Sequence, residues 1–145
     1  MTADEFDLER FVRAQDAGGT FDRAVGELAG GRKTSHWMWF VFPQLAGLGT
    51  SEMAQRYAIA SMAGARAYLS HPVLGPRLEQ VTDTVLAVPD VSAEQLFGGI
   101  DARKLQSCMT LFLAAERTQD RFAGVLDRFY GGQPDRRTEE LLHRS

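Results

Sequence analysis

The sequence predicts an all-α fold, a compact array of about eight short to medium helices with little or no β-structure. Apolar residues recur at helical spacing along most of the chain, and Ser, Gly and Pro residues stand where such helices would begin and end. No segment alternates apolar and polar residues for long enough to indicate a strand. A chain of 145 residues has the length of one domain, so residues 1–145 are expected to form a single domain.

Two short amphipathic helices are expected at the start of the fold. One apolar face combines Leu8, Phe11, Val12 and Gln15. The next combines Phe21, Ala24, Val25 and Leu28. Thr20 precedes the second helix as its expected N-cap, and the pair Gly30–Gly31 is expected to end it.

Three serines in the middle of the chain stand at positions typical of helix N-caps. Ser51 and Ser61 each precede a short helix, and Ser92 has capping-box spacing with Gln95. A longer amphipathic helix is expected between these segments and must stop by Pro89. Its apolar face consists of Leu74, Leu78, Val81, Val85 and Leu86.

The best candidate for a central core helix runs from Asp101, its expected N-cap, to about Arg117. Its apolar stripe consists of Leu105, Cys108, Met109, Phe112 and Ala115. Another amphipathic helix is expected before Gly131–Gly132, and a short terminal helix near Thr138 to His143.

The composition excludes several classes of protein. With 44% hydrophobic residues and a net charge of −3, the chain is neither disordered nor strongly basic, so no nucleic-acid partner is expected. The first residues are acidic and lack the basic and apolar parts of a secretory signal. The single cysteine, Cys108, is interpreted as a buried, unreactive thiol. These features predict a cytoplasmic protein without a membrane partner, either a monomer or a homodimer.

The segment 34–51 contains no Asp, Glu, Lys or Arg and includes both tryptophans. A membrane-spanning helix needs about 20 continuous apolar residues. Pro43 and the nearby glycines interrupt this segment, so burial inside the protein is the better interpretation. Phe40–Val41–Phe42 is its β-like triplet, placed between a helical turn and Pro43.

Four sequence blocks, in this order, resemble the bacterial domain of unknown function family 1810. They are His-Trp-Met-Trp-Phe-Val-Phe-Pro-Gln (36–44), Gly-Leu-Gly-x-Ser (47–51), Tyr-Leu-x-His-Pro-x-Leu-Gly-x-Arg-Leu (68–78) and Phe-Gly-Gly-Ile-Asp-Ala-Arg-Lys-Leu-Gln-Ser-Cys-Met-Thr-Leu-Phe (97–112). The resemblance implies a mostly helical domain with no established activity. Members sometimes labelled "calpastatin" take that name from extended, disordered inhibitors, whereas this composition specifies a packed core.

His36 is the candidate catalytic group of the uncharged segment. Its imidazole titrates near neutral pH, and the adjacent indoles would give it a partly dry pocket. The alternative is a structural histidine at a helix start, with Ser35 as the N-cap. Asp101 is the second candidate catalytic residue. Its alternative role is a helix cap that also pairs with Lys104 one turn later.

The candidate ligand-binding residues lie around His36 and on the core helix. They are Lys33, Ser35, Trp37, Gln44, Gly47, Gly49, Ser51 and Lys104. Glycines before a helix let backbone N–H groups converge on an anion, although a flexible connector is the alternative. Core packing is the alternative role for Trp37. If the uncharged segment packs on the core helix, Asp101, Lys104 and Ser107 are expected to project toward His36 and Gln44.

Two classes of function remain open from the sequence. The first is binding, with turnover undecided, of a small anionic or nucleotide-like metabolite around residues 36–44, so the protein is not assigned as an enzyme. The alternative is a non-catalytic protein–protein interaction module in which residues 36–44 are structural core. No cofactor is predicted, because the 47–51 turn is neither a Walker loop nor a dinucleotide fingerprint. No metal is predicted, because the three histidines lack ligand spacing.

Overall fold

A computed structural model of the protein describes residues 4–144. Within them the chain forms helices α1 (Glu9–Asp16), α2 (Thr20–Ala29), α3 (Met38–Val41), α4 (Glu52–Arg56), α5 (Met62–Ser70), α6 (Leu74–Ala87), α7 (Ala93–Phe97), α8 (Gly99–Ala115), α9 (Asp120–Tyr130) and α10 (Arg136–Arg144). A 3-10 turn, Ala17–Gly19, joins α1 to α2. The all-α prediction is confirmed. The helices outnumber the predicted eight or so because α3, α4 and α7 are only four or five residues long.

Helix α8 lies at the centre of the fold, as the apolar stripe predicts. It packs against α5, α7, α9 and α10. Leu105, Cys108, Met109 and Phe112 are fully buried on it, because neighbouring helices cover it on several sides. The helix begins at Gly99 and ends at Ala115, each two residues before the predicted bound.

A row of aromatic rings crosses the core from α1 to α9. The ring centroids of Phe11 and Tyr68 are 5.2 Å apart, those of Tyr68 and Phe112 are 5.3 Å apart, and Phe122 follows Phe112 at 6.1 Å. All four side chains are fully buried. Aromatic pairs at these separations add to the energy of burial, so this row ties four helices together.

The predicted serine caps are confirmed. Ser51 accepts from the Ala54 N–H and Ser61 from the Gly64 N–H. Ser92 and Gln95 form the reciprocal capping box.

Two other predicted caps are wrong. Thr20 is the first residue of α2, and its hydroxyl donates back to the Ala17 carbonyl at 2.6 Å. Gly19 precedes it at φ +68°, a conformation that suits glycine. Asp101 lies inside the first turn of α8, after Gly98, and its carboxylate pairs with lysines instead of capping the helix.

Residues 44–59, which include α4, form a loop whose two ends are joined by backbone hydrogen bonds. The Ile59 N–H donates to the Gln44 carbonyl and the Ala46 N–H to the Ile59 carbonyl, both at 2.8 Å, and an isolated parallel bridge joins Leu45 to Ile59. Phe40–Val41–Phe42 does not form a strand, because Met38–Val41 completes a helical turn and all three side chains of the triplet are buried. Gln44 therefore stands at the base of the loop that contains Ser51.

The helices that are described, over residues 4–144, are all too short or too polar to cross a membrane.

Candidate functional site: a basic groove beside the uncharged segment

The turn before the uncharged segment is organised by Glu27, a carboxylate of α2. Its Oε1 accepts from the backbone N–H of Thr34 at 2.8 Å, from that of Ser35 at 3.0 Å and from Trp37 Nε1 at 3.0 Å. The Ser35 hydroxyl donates to Oε2 at 2.5 Å. Ser35 is therefore bound to Glu27 and is not the N-cap of α3, which is Trp37.

These hydrogen bonds change the titration of Glu27. Partial desolvation acts to raise its pKa, but the donors from Ser35, Thr34 and Trp37 together outweigh it and lower the pKa from 4.5 to about 2. Sequence reasoning missed Glu27. Its sequence signal was a carboxylate directly beside Leu28, a residue of the apolar face of α2.

Asp101 is held between two lysines. Lys33 Nζ lies 2.8 Å from one carboxylate oxygen, and Lys104 Nζ lies 3.7 Å from the other. Lys33 also donates to the Ser35 carbonyl at 2.6 Å, and its side chain is only 7% exposed. The predicted ion pair of Asp101 with Lys104 is thus present, with Lys33 as a second and closer partner. Lys33 is committed to these internal contacts.

The two tryptophans have different environments. Trp37 is fully buried, so it takes the core role that was the alternative to ligand stacking. Trp39 is partly buried. Each ring faces a lysine: Lys33 Nζ lies 4.9 Å from the Trp37 ring centroid and Lys104 Nζ lies 5.0 Å from that of Trp39.

His36 is exposed in the bend before Trp37. Its side chain forms no hydrogen bond or ion pair with any of residues 4–144, including Asp101. The structure does not bring the two predicted catalytic residues into contact.

A groove of about 460 Å³ separates the α4 loop from α8 and α10. Its lining consists of Gln44, Leu48, Gly49, Thr50, Ser51, Ala54, Ile100, Arg103, Lys104, Ser107, Asp135 and Arg137. It brings together four predicted ligand-binding residues: Gln44, Gly49, Ser51 and Lys104. Ser107 also faces it, as the packing of the uncharged segment on α8 suggested. Lys33, Ser35, Trp37 and Gly47 do not line it.

Close contacts set the shape of the groove. A Cβ on Gly49 would lie 2.5 Å from the Cβ of Ala54, so only glycine fits this approach of the loop to α4. Gly47 has φ +99° and lies against Leu141 of α10. The loop thus lies close to α10, the helix that contains Arg137.

The groove carries an excess of positive charge. Arg103, Lys104 and Arg137 line it together with a single acid, Asp135. Asp135 is engaged by Thr138, whose N–H and hydroxyl donate to one carboxylate oxygen at 2.9 and 2.6 Å. Arg103 makes no side-chain hydrogen bond or ion pair within the described part of the chain, and Arg137 has only an exposed contact with Glu140 at 3.5 Å.

Sequence reasoning missed both arginines. Arg103 directly precedes Lys104 on α8, and its sequence signal was this adjacent pair of cations. Arg137 is distant in the chain, and its proximity depends on the packing of α10 against α8.

Other reactive groups lie away from the groove. Cys108 is buried, as predicted, and burial raises the pKa of its thiol, which favours the unreactive protonated form. Among residues 4–144, no three His, Cys, Asp or Glu side chains cluster closely enough to hold a metal ion.

The fold and the groove define a small all-α protein with a basic, ligand-sized groove between a loop and two helices. The chain belongs to DUF1810, a family described as proteins of unknown function, whose profile matches residues 5–142. This confirms the resemblance of the four sequence blocks. The chain is similar to the conserved hypothetical protein Rv1873 from Mycobacterium tuberculosis, known from a crystal structure at 1.38 Å. The two are 51% identical, the match covers 97% of this chain and 99% of the other, and the TM-score is 0.93. No curated protein matches the sequence.

Proposed function

We propose that the groove binds a small anionic metabolite of nucleotide-like size. The observation that carries this proposal is the meeting of Arg103, Lys104 and Arg137 in one concave site with Gln44 and Ser51. These three cations face one acid, Asp135, which already accepts hydrogen bonds from Thr138, so the excess of positive charge favours an anionic ligand. A charge-assisted hydrogen bond to phosphate or carboxylate contributes about 1.5–3 kcal/mol, so two or three of them support specific binding.

The size and the neutral lining of the groove support a ligand larger than a simple ion. Ligand pockets measure roughly 300–1,000 Å³, and this groove has about 460 Å³. The Gln44 amide makes no hydrogen bond within the described residues and offers both a donor and an acceptor. Leu48, Ala54 and Ile100 add apolar surface. A phosphate or carboxylate attached to a neutral, partly apolar body matches this lining.

The same geometry favours binding over turnover. His36 does not line the groove, and Asp101 is paired with Lys33 and Lys104. A general acid or base must reach the reacting atoms within hydrogen-bond distance. No contact within the described residues therefore supports the acid–base roles predicted for His36 and Asp101.

Two-dimensional ¹H–¹⁵N NMR titrations test the proposal. AMP is expected to shift the amide resonances of Gly49, Ser51 and Lys104, whereas uncharged adenosine is not. Inorganic pyrophosphate separates charge recognition from recognition of the nucleoside. Failure of both AMP and pyrophosphate to shift these amides would exclude the groove as an anion site for such ligands.

Two charge-removing variants locate the site. Arg103→Gln and Arg137→Gln are each expected to weaken AMP binding about tenfold, the equivalent of about 1.4 kcal/mol. Arg66→Gln is the matched control, because Arg66 is exposed on α5 and does not line the groove. Equal losses in all three variants would indicate nonspecific attraction to net positive charge.

Self-association through the surface that contains Ile100 is the second candidate. Ile100 is 72% exposed at the edge of the groove. A self-associating surface would place this side chain in the contact. Sedimentation equilibrium of the wild type and of Ile100→Asp tests this role. The role requires that the wild type is a dimer and that the variant is a monomer.

A further inference from the structure

Lys104 is held in place from two sides. Its ammonium lies 3.7 Å from Asp101 Oδ1 and 5.0 Å from the ring centroid of Trp39. Its side chain is only 22% exposed. The groove therefore has one cation whose position is set by the protein before any ligand arrives.

Asp101 is itself fixed by Lys33. The Lys33 ammonium lies 2.8 Å from Asp101 Oδ2, donates to the Ser35 carbonyl and lies over the Trp37 ring. Trp37 is fully buried and the Lys33 side chain is only 7% exposed, so the protein encloses this support on most sides. Each oxygen of the Asp101 carboxylate thus faces a different lysine, one in the protein interior and one at the groove.

A carboxylate beside an anion site weakens binding by Coulomb repulsion unless its charge is neutralised. Here Lys33 supplies that neutralisation, so Lys33, Asp101 and Lys104 together carry one net positive charge.

We propose that Asp101 is a positioning residue of the groove: it fixes Lys104 against Trp39, while Lys33 neutralises the carboxylate and leaves the charge of Lys104 available to a bound anion. The purpose of this role rests on the proposed anion-binding function. The positioning of Lys104 by Asp101 is, in contrast, a property of the protein without ligand. It differs from the acid–base role that the sequence suggested for Asp101.

The substitution Asp101→Asn separates positioning from simple electrostatics, because the two give effects of opposite sign. Removing a negative charge near the groove would by electrostatics alone tighten AMP binding. If Asp101 positions Lys104, the same substitution weakens AMP binding, by about fivefold. Asp22→Asn is the matched control, because it makes the same change in net charge at an exposed site on α2 away from the groove. It is expected to leave AMP affinity unchanged.

A double-mutant cycle tests whether Asp101 acts through Lys104. Lys104→Met is expected to weaken AMP binding about tenfold. The double variant Asp101→Asn/Lys104→Met should bind AMP no more weakly than Lys104→Met alone, because the lysine to be positioned is absent. Tighter binding by Asp101→Asn, or full additivity in the cycle, would overturn the proposal.

A measurement without ligand makes the positioning testable even if AMP does not bind. Because Lys104 lies over the Trp39 ring, its Hε protons are expected to resonate upfield of an ordinary lysine. In Asp101→Asn this upfield shift should collapse, and in Asp22→Asn it should persist. Persistence in Asp101→Asn would overturn the positioning role. Collapse there, combined with failure of AMP and pyrophosphate to bind the wild type, would leave the positioning intact and contradict only the proposed function.

Discussion

The indole N–H of Trp37 donates to Glu27 Oε1 at 3.0 Å, and this bond connects the most deeply buried residue of the uncharged segment to the helix before it. Glu27 thereby supplies the negative charge that residues 34–51 lack. Four donors converge on its carboxylate, and three of them, from Ser35 and Trp37, are partly buried, so they are costly to leave without a partner. The segment is thus anchored by a residue outside it.

Replacing Glu27 should destabilise the protein. In Glu27→Gln the amide is neutral, keeps one acceptor oxygen and turns a donor toward the Ser35 hydroxyl, so none of the four hydrogen bonds is charge-assisted any longer. We expect a loss of about 2 kcal/mol in the free energy of unfolding, measured by urea denaturation at pH 7. Glu52→Gln is the control, because Glu52 is exposed and has only a weak contact with Arg56. Equal stability of the two variants would contradict the anchoring role.

Glu27 should also make stability depend on pH in a defined window. Its pKa is lowered in the folded protein to about 2, against 4.5 ordinarily, so the folded state binds a proton less readily than the unfolded chain. Its contribution is therefore complete above pH 4.5 and is lost as the pH falls toward about 2. Urea denaturation of wild type and Glu27→Gln at several pH values should show a stability difference that is constant from pH 7 to 5 and narrows by pH 3. A difference that does not change over this range would show that the charge of Glu27 is not what stabilises the turn.

Gln15 is expected to be a costly residue to replace, because it is buried and fully engaged. Its Nε2 donates to the Phe40 carbonyl at 2.8 Å and to the Tyr68 hydroxyl at 3.2 Å, and its Oε1 accepts from Arg77 at 3.2 Å. Gln15→Ala leaves these groups without their partner and creates a cavity, so we expect a loss of about 3 kcal/mol by thermal or urea unfolding. The exposed Gln80→Ala should change stability by less than about 0.5 kcal/mol. Similar unfolding midpoints for the two variants would refute this account of Gln15.

Two glycine substitutions should have opposite effects. A Cβ at Gly49 would lie 2.5 Å from the Cβ of Ala54, so Gly49→Ala must displace the groove loop, at a cost of about 1–3 kcal/mol. Gly26 lies exposed in α2 with nothing within 4 Å of an added Cβ, so Gly26→Ala should stabilise the protein by up to about 1 kcal/mol. Melting temperatures by circular dichroism measure both. A Gly49→Ala protein as stable as the wild type would mean that the loop is not tightly packed on α4.

His36→Ala should leave the melting temperature unchanged, because the imidazole is exposed and has no hydrogen bond to another described residue. Its AMP affinity should also match that of the wild type, since His36 does not line the groove. A lower melting temperature would support the structural role considered from the sequence. Weaker AMP binding with unchanged stability would show that His36 contributes to the binding site.

The sequence predicts local features well where the cause is local. The caps at Ser51, Ser61 and Ser92 were predictable because an N-cap bond joins residues three apart, and α8 was predictable from its apolar stripe. Asp101 shows the limit of this reasoning. A position near a helix start indicated a cap, but a buried lysine from another segment is the stronger partner for its carboxylate. Such a partner cannot be identified from spacing.

By itself, the sequence determined the all-α architecture, the central helix and the family resemblance, and it predicted burial of the uncharged segment, which holds for the middle of the segment around Trp37 and Phe42 but not for its exposed ends. Each depends on periodicity or on contiguous residues, which are properties of the chain itself. Only the tertiary structure decided which polar residues meet. It assigned Glu27 to the turn at residues 34–37, paired Lys33 with Asp101, and placed Arg137 of α10 beside Lys104 in the groove. These contacts arise from the way helices distant in the chain pack together, and no local pattern specifies that packing.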